Sequence, residues 1–218
     1  MRSDVASKFV VTASGRVLVR MAGKGAPLLL LHGFPETSLM WRDVMRLLSA
    51  TFTVIAADLP GYGESDCPPG GVGAMSKRSM AAMLVEVMRT LGFDHFAVAG
   101  HDRGGRVAYR MALDHPHAVT RTAVLDVVPT LEVWRRADHR MALSFWPFSL
   151  LAQPAPLPEQ LISGAAEAVV DNALSEWGSD ARAFDPGVRQ AYIDAISDPA
   201  HVHSVCDDYR AAASLDLD

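Results

Sequence analysis

Between residues 97 and 106 the sequence reads Ala97-Val98-Ala99-Gly100-His101-Asp102-Arg103-Gly104-Gly105-Arg106, a short apolar strand that runs directly into a helix through a turn crowded with glycine. A chain turns that sharply only where side chains are missing, and Gly100 and Gly104 bracket Asp102 with the G-x-X-x-G spacing of a nucleophile elbow. Such a turn raises its central residue at the carboxyl end of a parallel sheet, the edge at which open sheets bind ligands. A serine there attacks acyl carbons, whereas a carboxylate suits displacement of a leaving group at a saturated carbon, leaving an alkyl ester on the protein. Taken alone, the motif favours a helix N-cap aspartate, since such caps are common.

The flanking sequence supplies the alternation that an elbow requires. Phe9–Thr12 and Val17–Ala22 read as a hairpin joined through Ser14-Gly15, and Pro27–Leu31 as a strand buried on both faces. Met40, Val44, Leu47 and Leu48 recur at helical spacing up to Ser49, Thr51–Ala57 is a strand, and Met80, Met83, Leu84, Val87, Met88 and Leu91 form a helical stripe. Phe96–Ala99 then reads as strand, Val107–Leu113 as helix and Val119–Leu125 as strand. This order predicts an α/β fold, a mostly parallel sheet with helices on both faces. After Asp126 the stripe of Trp134, Met141 and Phe145 is helical, Trp146-Pro147-Phe148 and Gln153-Pro154-Ala155-Pro156-Leu157-Pro158 interrupt it, and short helical patterns follow. The expected organisation is an α/β core over residues 1–129, a helical cap over 130–213, and the start of a return to the core over 214–218.

Charge and composition exclude several function classes. The chain carries 20 Lys+Arg against 25 Asp+Glu, a formal charge of −5, with no basic cluster of the kind that phosphate binding leaves. Its apolar bursts are far shorter than the ~18 residues of a membrane helix. Cys67 and Cys206 are too few for a disulfide framework or a zinc knot, and the first eight residues hold no apolar leader segment. The expectation is a cytoplasmic protein acting on a small molecule, without cofactor or metal and without nucleic-acid or membrane partners.

Further motifs sharpen this. Leu29-Leu30-Leu31-His32-Gly33-Phe34-Pro35 follows the third strand, with Trp41 and Asp58-Leu59-Pro60-Gly61-Tyr62-Gly63-Glu64-Ser65 beyond it. With Asp102-Arg103, Arg106, Ala152-Gln153-Pro154-Ala155-Pro156-Leu157-Pro158-Glu159 and Asp207-Asp208-Tyr209-Arg210, the chain resembles the α/β-hydrolases, and within them the haloacetate (fluoroacetate) dehalogenases, over essentially its whole length. Epoxide hydrolases and haloalkane dehalogenases usually carry tryptophan after the nucleophilic aspartate, where this chain has Arg103. The resemblance implies that Asp102 attacks the α-carbon of a 2-haloacid and that Arg103 and Arg106 hold the substrate carboxylate. It further implies that the N–H groups of Phe34 and Arg103 form an oxyanion hole, and that Asp126, after the strand Ala123-Val124-Leu125, orients a catalytic histidine. His32 reads as a structural residue of its loop.

The resemblance also predicts departures. Two halide donors of these dehalogenases, a His-Trp pair, fall on Pro147 and Phe148, neither of which can donate. Tyr209 matches a third donor and Trp177 a cap tryptophan of the substrate pocket, while Trp146 is the nearest substitute for the missing pair. Bromo- and chloroacids are therefore expected ahead of fluoroacids. The family's base is a histidine after the last strand, and His95, His101, His115, His117, His139, His201 and His203 all lie elsewhere. That suggests a chain shortened at its carboxyl end by two strands, with an open sheet edge that favours a homodimer. Two readings compete with the haloacid hydrolase: an epoxide hydrolase using Asp102 with Tyr192 and Tyr209 as proton donors, and a protein that traps substrate because its base is absent.

Overall fold

Leu28-Leu29-Leu30-Leu31 and Val54-Ile55-Ala56-Ala57 carry apolar side chains toward both faces, an arrangement stable only where both sides of a sheet are covered. In the computed structural model, which describes residues 5–177 and 183–217, they form β3 (Ala26–Leu31) and β4 (Phe52–Ala57), parallel neighbours at the sheet centre. β1 (Ala6–Thr12) and β2 (Gly15–Ala22) make the expected hairpin, and β2 pairs antiparallel with β4. β5 (Phe96–His101) and β6 (Val119–Leu125) extend the parallel side, so the spatial order is β1-β2-β4-β3-β5-β6.

The period of two along each strand sorts the core into two layers. Leu29, Leu31, Ile55, Ala57 and Val98 pack with α2 (Lys77–Thr90) and α3 (Asp102–Asp114), whereas Leu30, Val54 and Ala56 pack with Trp41 and with Met45 of α1 (Arg42–Leu48). Leu29, Leu30 and Leu31 are at most 1% exposed, and burial of each contributes about 1.5–3 kcal/mol. α3 starts at Asp102, five residues before the apolar pattern begins at Val107, because Gly104 and Gly105 interrupt the periodicity without interrupting the helix.

Beyond β6 the chain is helical. The stripe through Trp134, Met141 and Phe145, expected as one helical segment, is divided between α4 (Thr130–Arg135) and α5 (His139–Ser144), with Phe145 just past the second, and Trp146-Pro147-Phe148, expected as a break, instead opens α6 (Trp146–Leu150). Asp138 caps α5 by accepting from the Met141 N–H at 2.9 Å, and Pro147 sits in the first turn of α6, where a missing N–H costs nothing. α7 (Leu157–Ser163), α8 (Ala166–Glu176), α9 (Pro186–Ala195) and α10 (Pro199–Ala212) follow, the last packing back against α2. Among the described residues no helix is long and apolar enough to cross a membrane.

Close packing at the elbow explains its glycines. A Cβ on Gly104 would lie 2.5 Å from the main-chain oxygens of Leu31 and His32, and one on Gly100 would lie 2.2 Å from the Gly104 oxygen. The neighbour in each case is backbone, which cannot step aside as a flexible side chain can. Gly104→Ala is therefore expected to cost about 3 kcal/mol, the upper end of overpacking, and to lower the thermal midpoint by roughly 6–12 °C. A differential scanning measurement that finds no shift would show that β3 and α3 can separate freely.

Candidate active site

The turn from β5 into α3 places Asp102 in the left-handed region, with φ of 45°, a conformation that a non-glycine residue holds only when its surroundings enforce it. Asp126 directly after β6 has φ of 49°. The Phe34 N–H donates to Asp102 Oδ2 at 3.0 Å, so the loop after β3 holds the carboxylate in place. Gly33 makes this approach possible, since a Cβ there would fall 2.8 Å from the Asp102 Cβ. Arg103 is the second residue of α3, in the turn whose N–H groups have no acceptor within the helix.

Asp102, Asp126, Phe34, Tyr209 and Trp177, which the sequence pointed to at five separate places, line one cavity of about 90 Å³. Pro147, Phe148 and Phe145 complete its apolar cap side. Burial pushes the Tyr209 phenol well up, which keeps it a neutral donor, and its hydroxyl makes no hydrogen bond to another described residue. Tyr192, the other tyrosine considered as a proton donor, is 1% exposed and lies outside the cavity wall.

Trp146 is not brought to the site. Its indole N–H donates to Asn172 Oδ1 at 3.1 Å and its ring lies 5.9 Å from that of Trp177, so it packs among the helices after β6 and has no free N–H to turn toward the cavity. Trp177 contributes ring surface to the cavity, its own N–H being donated to the Ser144 carbonyl at 2.9 Å.

The two arginines stand behind the wall. Arg103 is fully buried and bound to Asp208, and Arg106 donates through Nη1 to the Val128 carbonyl (2.7 Å) and Thr130 Oγ1 (3.1 Å). Their guanidinium carbons lie 4.1 Å from the Tyr209 ring centroid and 4.9 Å from that of Phe148, two rings that face the cavity. Each keeps one buried nitrogen without a hydrogen bond, Arg103 Nη1 and Arg106 Nε.

All eight histidines lie within the described residues, and none hydrogen-bonds Asp126. His32 is a pin: Nδ1–H donates to the Gly33 carbonyl at 2.8 Å, Nε2 accepts from the Leu59 N–H at 2.9 Å, and burial pushes its pKa down, keeping it neutral. His139, exposed at the start of α5, is off the wall, while His101 is on it. Sequence reasoning missed the partner of His101: Glu36 of the loop after β3, whose Oε2 lies 3.3 Å from Nδ1. This contact, with further attraction from Asp102 and Asp126, raises the His101 pKa above 6.5. The shift favours the protonated ring over the free base. Stability from the pair is present below the ordinary histidine value and is lost as pH rises through the raised one. An NMR titration is expected to place His101 above 6.5, and Glu36→Gln to bring it down; no change on that substitution would remove Glu36 as the cause.

A family model described as alpha/beta hydrolase fold matches residues 26–154. The chain is 44% identical over 201 residues to a fluoroacetate dehalogenase from Burkholderia sp, covering 91% of this chain and 66% of that one. It is 46% identical over 110 residues to a soluble epoxide hydrolase from Corynebacterium sp. (strain C12), covering 50% of this chain and 37% of the relative. A solved alpha/beta hydrolase from Nostoc sp PCC 7120 superposes with a TM-score of 0.95 at 46% identity, over 98% of this chain and 74% of that one.

Proposed function

The chain belongs to the α/β-hydrolase fold family, and on that premise we propose that its cavity takes short 2-haloacids, whose halide Asp102 displaces. The observation that carries this reading is the Asp102 carboxylate, held by the Phe34 N–H in a small cavity whose aromatic wall is backed by two buried guanidinium groups.

In the proposed step an Asp102 oxygen attacks the α-carbon, a carbon–oxygen bond forms, the carbon–halogen bond breaks, and halide leaves with the bonding pair. No redox partner is needed. The substrate carboxylate is one bond from the reacting carbon, so its repulsion of Asp102 must be offset, and the free nitrogens of Arg103 and Arg106 supply that charge. Phe148 has to yield for the carboxylate to reach them, since both guanidinium groups are shielded from the cavity in this conformation. Tyr209 would donate to the departing halide. In the second step water attacks the ester carbonyl and gives a proton to a base, the Phe34 and Arg103 N–H groups receive the developing oxyanion, and the acyl carbon–oxygen bond breaks to return the Asp102 carboxylate and release the 2-hydroxyacid. None of the eight histidines hydrogen-bonds Asp126 to serve as that base, so this step is slow and the ester persists.

The relative from Corynebacterium gives weight to epoxide opening by the same aspartate, but that reaction uses two tyrosine donors and only Tyr209 reaches the cavity. Incubation with bromoacetate is expected to release bromide and to leave a carboxymethyl group on the peptide that holds Asp102. Peptide mapping is required because Cys67, a free and partly exposed thiol, also reacts with haloacetates. Diol formation from styrene oxide without bromide release from bromoacetate would overturn the haloacid reading.

A further inference from the structure

A fully buried guanidinium is tolerated only when its charge is met, and Arg103 is met by a residue of the cap. Asp208 in α10 accepts from Arg103 Nε through Oδ2 (2.8 Å), from Nη2 through Oδ1 (2.6 Å), and from Nη2 again through its main-chain carbonyl (3.0 Å). Asp208 is itself held from the core: the Tyr62 hydroxyl donates to Oδ2 at 2.7 Å and the buried Lys77 ammonium donates to Oδ1. Asp216, after α10, accepts from the Lys77 main-chain N–H at 2.8 Å.

This grip takes the Nε and Nη2 edge of the fork and leaves Nη1 buried and without a partner. A planar fork held along one edge cannot turn, so its free edge has a fixed direction. Tyr209, the next residue after Asp208, places its ring 4.1 Å from the same guanidinium carbon, so one turn of α10 sets both the cationic receptor and the cavity hydroxyl. The charges also balance. Lys77, Arg103 and Arg106 stand against Asp208, Asp216 and Asp102. When Asp102 becomes a neutral ester, the substrate carboxylate takes its place in that sum.

We propose that Asp208 is the positioning residue for the substrate acid: it aims Arg103 Nη1 at the carboxylate, with Tyr62 and Lys77 keeping Asp208 in register. This rests on the haloacid reading and adds that acid selectivity depends on the docking of α10.

Asp208→Asn alone strands two buried cations, so the test uses Lys77→Met/Asp208→Asn, which removes one charge of each sign. Binding of acetate, an unreactive monocarboxylate, is followed by calorimetry, and bromide release is compared for bromoacetate and bromoacetamide. The double variant is expected to weaken acetate binding about tenfold or more and to reduce the preference for acid over amide by a similar factor. That loss should appear in the half-saturating concentration of bromoacetate, with the maximal rate on bromoacetamide retained. Tyr62→Phe, a milder change at one hydrogen bond to Asp208, should reduce the preference by about threefold. A folded variant with unchanged preference, or an equal loss for acid and amide, would overturn the proposal; if the double variant does not fold, Tyr62→Phe decides. A parent protein that neither binds acetate nor releases bromide would instead overturn the haloacid reading itself.

Discussion

Asp102→Asn is expected to abolish bromide release from bromoacetate, by on the order of 10⁴-fold or more, as deletion of a nucleophile does elsewhere. The amide is nearly the size of the carboxylate but is a poor nucleophile toward a saturated carbon. The fold should survive, because asparagine is among the residues that best tolerate the left-handed conformation at this turn, where φ is 45°. Its Oδ1 can still accept from the Phe34 N–H, the contact that now holds Asp102. Ion chromatography for bromide and a melting curve on the same sample read the two outcomes together. A folded Asp102→Asn protein that still releases bromide, with no alkylated cysteine to explain it, would remove Asp102 from the mechanism.

Halide choice is the second large effect, and it follows from the cap wall. Fluoride is small, strongly hydrated and a poor leaving group, so its departure depends on hydrogen-bond donors inside a dry cavity. Of the positions that match the family's halide donors, Pro147 and Phe148 face the cavity without a donor and Trp146 gives its N–H to Asn172, which leaves the Tyr209 hydroxyl. A preorganised donor at a developing anion is worth about 3 kcal/mol, so the absence of two corresponds to about 10⁴-fold. Bromoacetate and chloroacetate are therefore expected to react far faster than fluoroacetate, beyond the ordinary order of leaving groups. Phe148→Trp should narrow the gap by returning one indole N–H to the wall. Comparable initial rates of fluoride and chloride release in the unaltered protein would show that another group donates to the halide.

By itself the sequence determined the strand–helix alternation and the elbow, because each depends on neighbouring positions, whereas Tyr209 and Trp177 were pointed to through a family resemblance. Strand–helix alternation is written in periods of two and 3.6, Gly100 and Gly104 are two positions from Asp102 on either side, and Asp126 follows its strand directly. The division of the cap into α4, α5 and α6 was less legible, since the Trp134, Met141 and Phe145 stripe continues across breaks made by a single cap and a proline. What only the tertiary structure decided is how polar groups are shared. Arg103 is bound by Asp208, 105 residues away, and His101 faces Glu36 from another loop. Trp146 resembles a spare halide donor in the sequence but spends its N–H on Asn172 in α8. A buried polar group must find a partner, and which partner it finds depends on how the whole cap settles on the sheet, a property that no local pattern of residues carries.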